Sequence, residues 1–530
     1  MTARLTARRG PDYCLPIGSS APSPGRKSGV SVIRRSSIRD LGVIGAALLS
    51  SVCARGEGRE AQGPARPRQR PPAAALEPGP SHDITRSPFG LHVITRDLAG
   101  PREIGARWTR EAVAWKDVEP RKGELRDIER AVPRFNELTD AGFEVLPRLM
   151  SLNPWAEEER INAMNAGASR KGAPMGGSTY LGMPTDVAAY RRFLTTVVEA
   201  FDGDGKQDAR GLKKGIKYWQ VENEWDWRFK DTPERFVEFL RVAYETIKAA
   251  DPEARVVLGG ISKLGPDAFH AGLFGDSIEL NGKRVTPETL ERQPHFQEEH
   301  RLRRHVLEHG HRYFDIVSFH QYGRPAAIEK EMEYLRGIMR AQGYDKPVWM
   351  TEAGGPFVPA GEAYSEDRQA QEVVKYYVTA LASGVEVIFW STYQPTPEWG
   401  AAFTNTALLD TRGRRKPAYR SYQLMVSKLE DATRVESLFG SERARVVRFT
   451  RRARPPVYVA WAEGAGAGRG GGAAPRGGGV LERMRGLLEG KLQGKSVEVT
   501  WYDGTVETVD DLQAENRGPL RKGPAFIEVR

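Results

Sequence analysis

The sequence predicts an α/β protein, a (β/α)8 (TIM) barrel followed by a small all-β sandwich domain. Three observations predict it. From about residue 87 to 435, short runs rich in Val, Ile and Phe alternate with longer amphipathic stretches, the rhythm of strands and covering helices. Eight such runs occur before the pattern changes, and eight strand–helix units close a barrel. Beyond residue 435 alternating strands take over, as in "ARVVRFT", "PVYVAWA", "SVEVTWYD" and "AFIEVR".

The first four runs are "FGLHVIT" (89–95), "AVAW" (112–115), "FEVLPRLM" (143–150) and "IKYWQV" (216–221). Then come "ARVVLGG" (254–260), "FDIVSFH" (314–320), "KPVWMTEA" (346–353) and "VEVIFWSTY" (385–393). Helical patterns such as "DIERAVPRFNELTDAG" and "PERFVEFLRVAYETIKAAD" separate them. A doubly wound open sheet is the competitor, disfavoured because no Gly-rich phosphate loop follows the first run. The helix "KPAYRSYQLMVSKLED" (416–431) closes the catalytic-domain span 87–435. Residues 436–530 form the β-domain, interrupted by "GAGAGRGGGAAPRGGG" (464–479), a tract too poor in apolar surface to fold.

The chain before the barrel has a different character. "VIRRSSIRD", the apolar "LGVIGAALLSSV" (41–52) and the small residues of "VCA" predict a targeting segment over 1–54, cleaved after Ala54. Arg34-Arg35 offers a twin-arginine route, and Cys53 a lipid anchor. The expected location is therefore outside the cytoplasm, secreted or periplasmic. Residues 55–86, rich in Pro, Arg, Ala and Gly, read as a disordered linker.

Of the formal charge of +10, +8 lies in residues 1–86, which hold 14 Lys/Arg against 6 Asp/Glu. The rest of the chain is nearly neutral, so the charge is a basic leader and no nucleic-acid partner is expected. No apolar run is long enough to cross a membrane. The only cysteines are Cys14 and Cys53, so a chain cleaved after Ala54 has no thiol nucleophile, disulfide or Cys-based zinc site.

Working residues of such a barrel sit at the C-terminal ends of its strands. There the fourth run ends in "QVENEWD" (220–226), the seventh in Thr351-Glu352, the sixth in His320-Gln321-Tyr322 and the eighth in Trp390. The second carries Arg110 at its start and Trp115 further along. Two carboxylates on nearly opposite strands face each other across the mouth, as glycoside hydrolysis requires.

These residues carry a family resemblance. "YWQVENEWD", followed by "VWMTEAG", resembles glycoside hydrolase clan A, with an Asn-Glu pair ending strand 4 and a second Glu ending strand 7. "TREAVAWKDVEPRKGEL", "FHQYG", "FWSTYQ" and "ALLDTRGRRKPAYRSYQ" resemble the clan's strand-2, strand-6, strand-8 and last-helix regions. The resemblance implies Glu224 as acid/base and Glu352 as nucleophile. It implies Asn223 on the sugar 2-hydroxyl, Arg110 and Tyr322 holding Glu352 ionised, and Trp390 as the floor of the sugar subsite. Glu224 is expected to have a raised pKa, so that it starts protonated. Trp225 departs from the clan, which often has Pro after the Asn-Glu pair, so no single family is implied.

Bland readings stand beside these. Glu222 is the rival to Glu224, but more naturally meets a structural partner. Asp226 and Trp227 line the rim or sit in a solvated loop. Glu119 reads as structural, and His92 as either a substrate contact or a satisfied core histidine. Trp155 and Trp399 are sugar platforms or loop packing. His320 reads as a hydrogen-bonder of the substrate site rather than a metal ligand. The segment 156–184 could wall one end of the cleft. The expected activity is retaining hydrolysis of a β-linked oligo- or polysaccharide, with a carbohydrate substrate and neither metal nor organic cofactor. A glycan-binding barrel without turnover and a metal-dependent barrel hydrolase are the alternatives. The scarcity of histidine, nine in all, weighs against the latter.

Overall fold

The computed structural model describes residues 81–92, 97–170, 180–280, 283–356, 363–395, 401–441, 444–462, 496–509 and 523–529. The leader 1–54, the linker to residue 80, the tract 464–479 and Trp399 lie outside the described residues.

Eight parallel strands form one sheet: β1 Phe89–His92, β2 Trp108–Ala114, β3 Glu144–Met150, β4 Tyr218–Val221, β5 Arg255–Leu258, β6 Val317–Tyr322, β7 Val348–Gly354 and β8 Val385–Ser391. Their order is β5-β4-β3-β2-β1-β8-β7-β6. Parallel bridges Val257↔Ile316 and Ile261↔Phe319 join the two ends, so the sheet closes on itself. Helices run between the strands, the longest being Val187–Phe201, Pro233–Ala250, Pro294–His309, Ala327–Ala341 and Glu366–Ala382.

Side-chain alternation explains the closure. Trp108, Leu146, Val257, Ile316, Trp349, Val387 and Phe389 point inward and fill the N-terminal half of the ring as one apolar cluster. Trp108 and Trp349 meet edge to face at 5.1 Å. Neighbours one position away, such as Val145, Trp219 and Ile388, belong to the main cluster formed with the helices. Fully burying each of these large apolar side chains stabilises the fold by about 2–3 kcal/mol. Further along the strands the inward positions turn polar, with Arg110, Gln220, Ser318, Thr351 and Ser391 all buried. A polar layer above an apolar floor defines the mouth.

Strands also include segments outside the apolar runs, 108–111 and Ser81–Asp83 among them. The second strand begins at Trp108, not at Ala112, so Arg110 lies inside it and Trp115 opens a short helix. Arg110 and Glu111 break the apolar run, yet the polar mouth accommodates Arg110. Another such segment is Ser81–Asp83, assigned by composition to the disordered linker. It pairs antiparallel with the strand Ala432–Gly440, since a sheet edge needs only backbone groups from its partner. Arg86 then reaches beneath the barrel, donating to the Tyr218 hydroxyl at 2.5 Å, with its guanidinium 5.9 Å from the Trp349 ring.

The C-terminal strands are β9 Ala432–Gly440, β10 Ala444–Arg451, β11 Val457–Ala462, β12 Val497–Trp501, β13 Val506–Val509 and β14 Ala525–Val529. With Ser81–Asp83 at one edge they make a seven-stranded antiparallel sheet in the order β9-β10-β11-β14-β12-β13. One face, carrying Val447, Phe449, Val459 and Phe526, joins the main apolar cluster with the helix Pro417–Leu429. Val446, Tyr458, Val499 and Trp501 form a separate cluster on the other face. Polar ties reinforce the junction: Ser421 donates to the Tyr502 carbonyl at 2.7 Å, and Tyr502 to Asp367 at 2.5 Å.

Candidate active site

Glu352 lies in β7, where the inward face has become polar, and is 6 % exposed. Arg110 Nη1 donates to its Oε1 at 2.6 Å, and the Tyr322 hydroxyl donates to its Oε2 at 2.6 Å. Arg148 stands 3.9 Å from Oε1 and His320 Nδ1 3.6 Å from Oε2. Burial alone would push this carboxyl up, but His320, His92, Arg110 and Arg148 hold it well below the usual carboxylate range. Burial itself keeps His92 neutral, so the two arginines are the lasting positive charges. Tyr322 remains a donor because burial and the Glu352 charge push its pKa far up.

Glu224 follows β4 in a left-handed conformation, φ 47°, as does Glu222 at φ 69°. Two side-chain-bearing residues in this region within three positions make a strained strand exit. Gly259 and Gly260, after β5, make room for it. A Cβ on Gly259 would lie 2.6 Å from the Val221 carbonyl, and one on Gly260 2.0 Å from His320 Nε2. Glu224 Oε1 lies 3.0 Å from His320 Nδ1, and Oε2 accepts from Trp227 Nε1 at 3.0 Å. Carboxylate oxygens of Glu224 and Glu352 lie within 4.8 Å of one another and of a His320 nitrogen.

The expected raised pKa of Glu224 is not found. Burial pushes the carboxyl up, but the hydrogen bond and charge of His320 outweigh both this and the repulsion of Glu352. The net direction is downward.

Asn223 Oδ1 accepts from Arg110 at 2.7 Å and from Arg148 at 3.3 Å. Two guanidinium donors on the oxygen orient the amide with its NH2 away from them. Arg110 also donates through Nε to Gln220 Oε1 at 2.6 Å, and the Gln220 amide continues to Ser318 and Thr351. His92 Nδ1 lies 3.1 Å from Ser391 Oγ, whose hydroxyl can donate to the Tyr322 oxygen 2.9 Å away. Burial, with the Arg110 charge, pushes Arg148 down to about 9.

Trp390 does not join this group. It points out of the ring with no exposed surface, its Nε1 bound to the Thr406 carbonyl at 2.9 Å and its ring edge-on to Tyr376. Val387 and Phe389 face inward, so alternation sends Trp390 outward and brings Ser391 to the mouth. An aromatic ring beside Tyr322 is Phe403, 5.3 Å from it and edge-on.

Glu222 is fully buried; its Oε1 takes the Ser151 amide at 2.5 Å and its Oε2 lies 3.8 Å from Arg228. Asp226 is not at the rim. It is 1 % exposed and held by Ser262 and Arg303, the latter at 3.2 Å. Glu119 accepts from Trp115 Nε1 at 2.8 Å, and Trp155 packs edge-on to Trp115. Tyr180, from the 156–184 segment, meets Trp227 edge-on at 6.5 Å. Leu181 bridges Phe229, which ties that segment to the chain just beyond Glu224.

Sequence reasoning passed over Arg148, Gln220, Ser391 and the Trp227–Glu224 bond. A charged residue inside the apolar run "VLPRLM" was the available sign for Arg148. The Glu224, His320 and Glu352 atoms also have metal-ligand spacing. However, Arg110 and Arg148 beside Glu352 place two positive charges where a cation would stand.

No family model matches this sequence, and no curated protein matches it. Solved structures do. A family 39 glycoside hydrolase from the gut symbiont Bacteroides cellulosilyticus WH2 superposes with a TM-score of 0.55 at 17% identity, over 84% of this chain and 81% of its own. The family 39 enzyme of Xanthomonas axonopodis pv. citri superposes with a TM-score of 0.50 at 12% identity, over 84% and 96%. The fold of this chain, an eight-stranded parallel barrel with an antiparallel sheet, is thus similar to the folds of these two proteins.

Proposed function

We propose that the protein is an exported, retaining glycosidase that cleaves a β-linked oligo- or polysaccharide by double displacement. The observation that carries this reading is the closeness of the Glu224 and Glu352 carboxylates, with oxygens within 4.8 Å. Retaining enzymes hold their carboxyl groups about 5–5.5 Å apart, whereas inverting enzymes leave room for a water. The similar folds named above are both described as glycoside hydrolases, which favours a glycosidic bond as the target.

In the first step Glu352 attacks the anomeric carbon, the glycosidic C–O bond breaks, and Glu224 gives its proton to the leaving oxygen. Glu352 becomes a neutral ester, its repulsion of Glu224 disappears, and Glu224 takes a proton from the water that cleaves the ester. Asn223, with Oδ1 occupied by Arg110 and Arg148, has its NH2 for the sugar 2-hydroxyl. The acid form of Glu224 is reached below its lowered pKa, or at higher pH once a bound sugar excludes water from the carboxylate.

Exposure to 2-fluoro-glycosides followed by peptide mass spectrometry tests the reading. A label on the peptide containing Glu352 is expected. Turnover without any label there, or a label on another acid, overturns it.

A further inference from the structure

A second cluster of acids stands apart from the barrel mouth, in the loop "DGDGKQD" (202–208) between the helix Val187–Phe201 and β4. One oxygen from each of Asp202, Asp204 and Asp208 lies within 4.8 Å of the other two. The backbone curls to bring them together, with φ of 74° at Gly203, 87° at Gly205 and 57° at Gln207. Asp208 accepts from the amides of Gly203 at 3.1 Å and Gly205 at 2.9 Å, and Asp202 Oδ1 from the amide of Asp204 at 3.2 Å.

These bonds account for the shape of the loop and leave one atom unexplained. Asp202 is 1 % exposed, and its Oδ2 is buried without a hydrogen-bond partner. Burial pushes the Asp202 carboxyl up to about 6, and the facing carboxylates of Asp204 and Asp251 and the contact with Asp208 add to this. Both nearby lysines are paired with other carboxylates. Lys206 Nζ sits on Asp204 Oδ2 at 3.0 Å, largely in solvent, and Lys217 Nζ sits on Asp251 at 3.0 Å. A buried carboxylate oxygen facing two other carboxylates wants a cation.

We propose that this loop binds one calcium ion through carboxylate oxygens of Asp202, Asp204 and Asp208. The donors are all hard oxygens, with no nitrogen or sulfur ligand in the cluster, which selects Ca²⁺ or Mg²⁺ over transition metals. A curled loop of glycines and carboxylates suits the larger ion, which accepts irregular coordination, better than magnesium with its strict octahedron. Acids at the first and third positions follow the opening of helix–loop–helix calcium loops, whereas Asp208 stands at the seventh, where those loops use a backbone carbonyl. Lys206 stands where those loops place a further acid, and the chain has Lys213 where they place their bidentate Glu. Affinity is therefore expected in the weak range, with a Kd on the order of 10⁻⁴ M.

The site would act on stability. It lies ahead of β4, at the end opposite Glu224, and ties the C-terminal end of the helix Val187–Phe201 to the strand entry, where Ile216 donates to the Phe201 carbonyl at 2.8 Å. Calorimetric titration of the full chain with calcium chloride tests this, alongside thermal unfolding in about 10 mM calcium, magnesium or chelator. About one ion per chain, and a melting temperature raised by several degrees by calcium and less by magnesium, are expected. Asp208→Asn should weaken binding at least tenfold, and Lys206→Asp, which removes the competing ammonium and adds a ligand, should tighten it about tenfold. Should Asp208→Asn fold poorly, the Lys206→Asp gain decides alone. Absence of calcium-dependent heat and melting shift in the native chain, or equal affinity in the native and Lys206→Asp chains, overturns the proposal.

Discussion

The two glutamates at the mouth are the same side chain in two opposed settings. Glu352 lies within its strand, at a shift of register after Met350, and is gripped from three others, by Arg110 of β2, Arg148 of β3 and Tyr322 of β6. Glu224 sits past its strand in a strained conformation, its carboxylate held by His320 and Trp227, the latter from its own turn. Two arginines flank the first, no arginine is bonded to the second, and His320 stands between them. The difference teaches that role is assigned by neighbours. A carboxylate locked by arginines resists protonation, as the attack proposed for Glu352 requires. One without such a lock can exchange its proton during a cycle.

The largest effect to break this comparison is loss of the locked carboxylate. Glu352→Gly should lower kcat by roughly 10⁴–10⁶-fold, as removal of a nucleophile does elsewhere. Azide should restore turnover and give product of inverted configuration, seen by proton resonance of the anomeric centre. Near-native turnover without azide would end the assignment of Glu352 as nucleophile.

Next comes the lock itself. Arg110→Met leaves Glu352 buried beside Arg148 alone among the arginines, and removal of one member of a buried pair costs about 3 kcal/mol. The sign with pH is fixed by the direction of the shift. A carboxyl whose pKa is depressed on folding adds stability above its unfolded value, and that stability is lost as pH falls through the folded value. The difference in melting temperature between native and Arg110→Met chains should therefore be full at pH 7 and shrink below about pH 4. A difference independent of pH would mean that Arg110 acts through packing rather than charge.

A smaller change sharpens the Glu224 side. His320 supplies the two largest influences that lower this pKa, and without them burial and the Glu352 charge both push it up. His320→Gln should thus move the alkaline limb of kcat/KM to higher pH, since that limb reports loss of the acid proton in the free protein. A shift to lower pH would show that His320 does not hold Glu224 ionised.

Much of this was legible in the sequence. The eight apolar runs, the acids at their ends and the ring's parallel order follow from burial and from the rule that strands present chemistry at their C-terminal ends. What was illegible depends on register. Gln220 and Arg148 look like interruptions of apolar runs, and only closure of the ring puts Gln220 between Arg110 and Ser318. The lowered pKa of Glu224 needs the 3.0 Å approach of His320, which is 96 positions away in the chain. Ser81–Asp83 has no apolar pattern at all, because the sheet edge it meets asks nothing of its side chains.

Trp390 is the clearest case of a register error, and it supports the smallest predicted effect. Reading "IFWST" alone cannot tell whether Trp390 or Ser391 faces the mouth; the packing of Val387 and Phe389 in the barrel floor decides for Ser391. Trp390→Phe should then cost stability, through the lost bond to the Thr406 carbonyl and a small cavity, by about 1–2 kcal/mol. Its kcat/KM should stay within about threefold of native, because the ring is separated from the sugar by its own strand. Ser391→Ala, which strips a partner from both His92 and Tyr322, should be the more damaging to activity and the milder to stability. If Trp390→Phe instead lost about a hundredfold in kcat/KM at unchanged melting temperature, the indole would have to reach the substrate, and the outward register of β8 would be wrong.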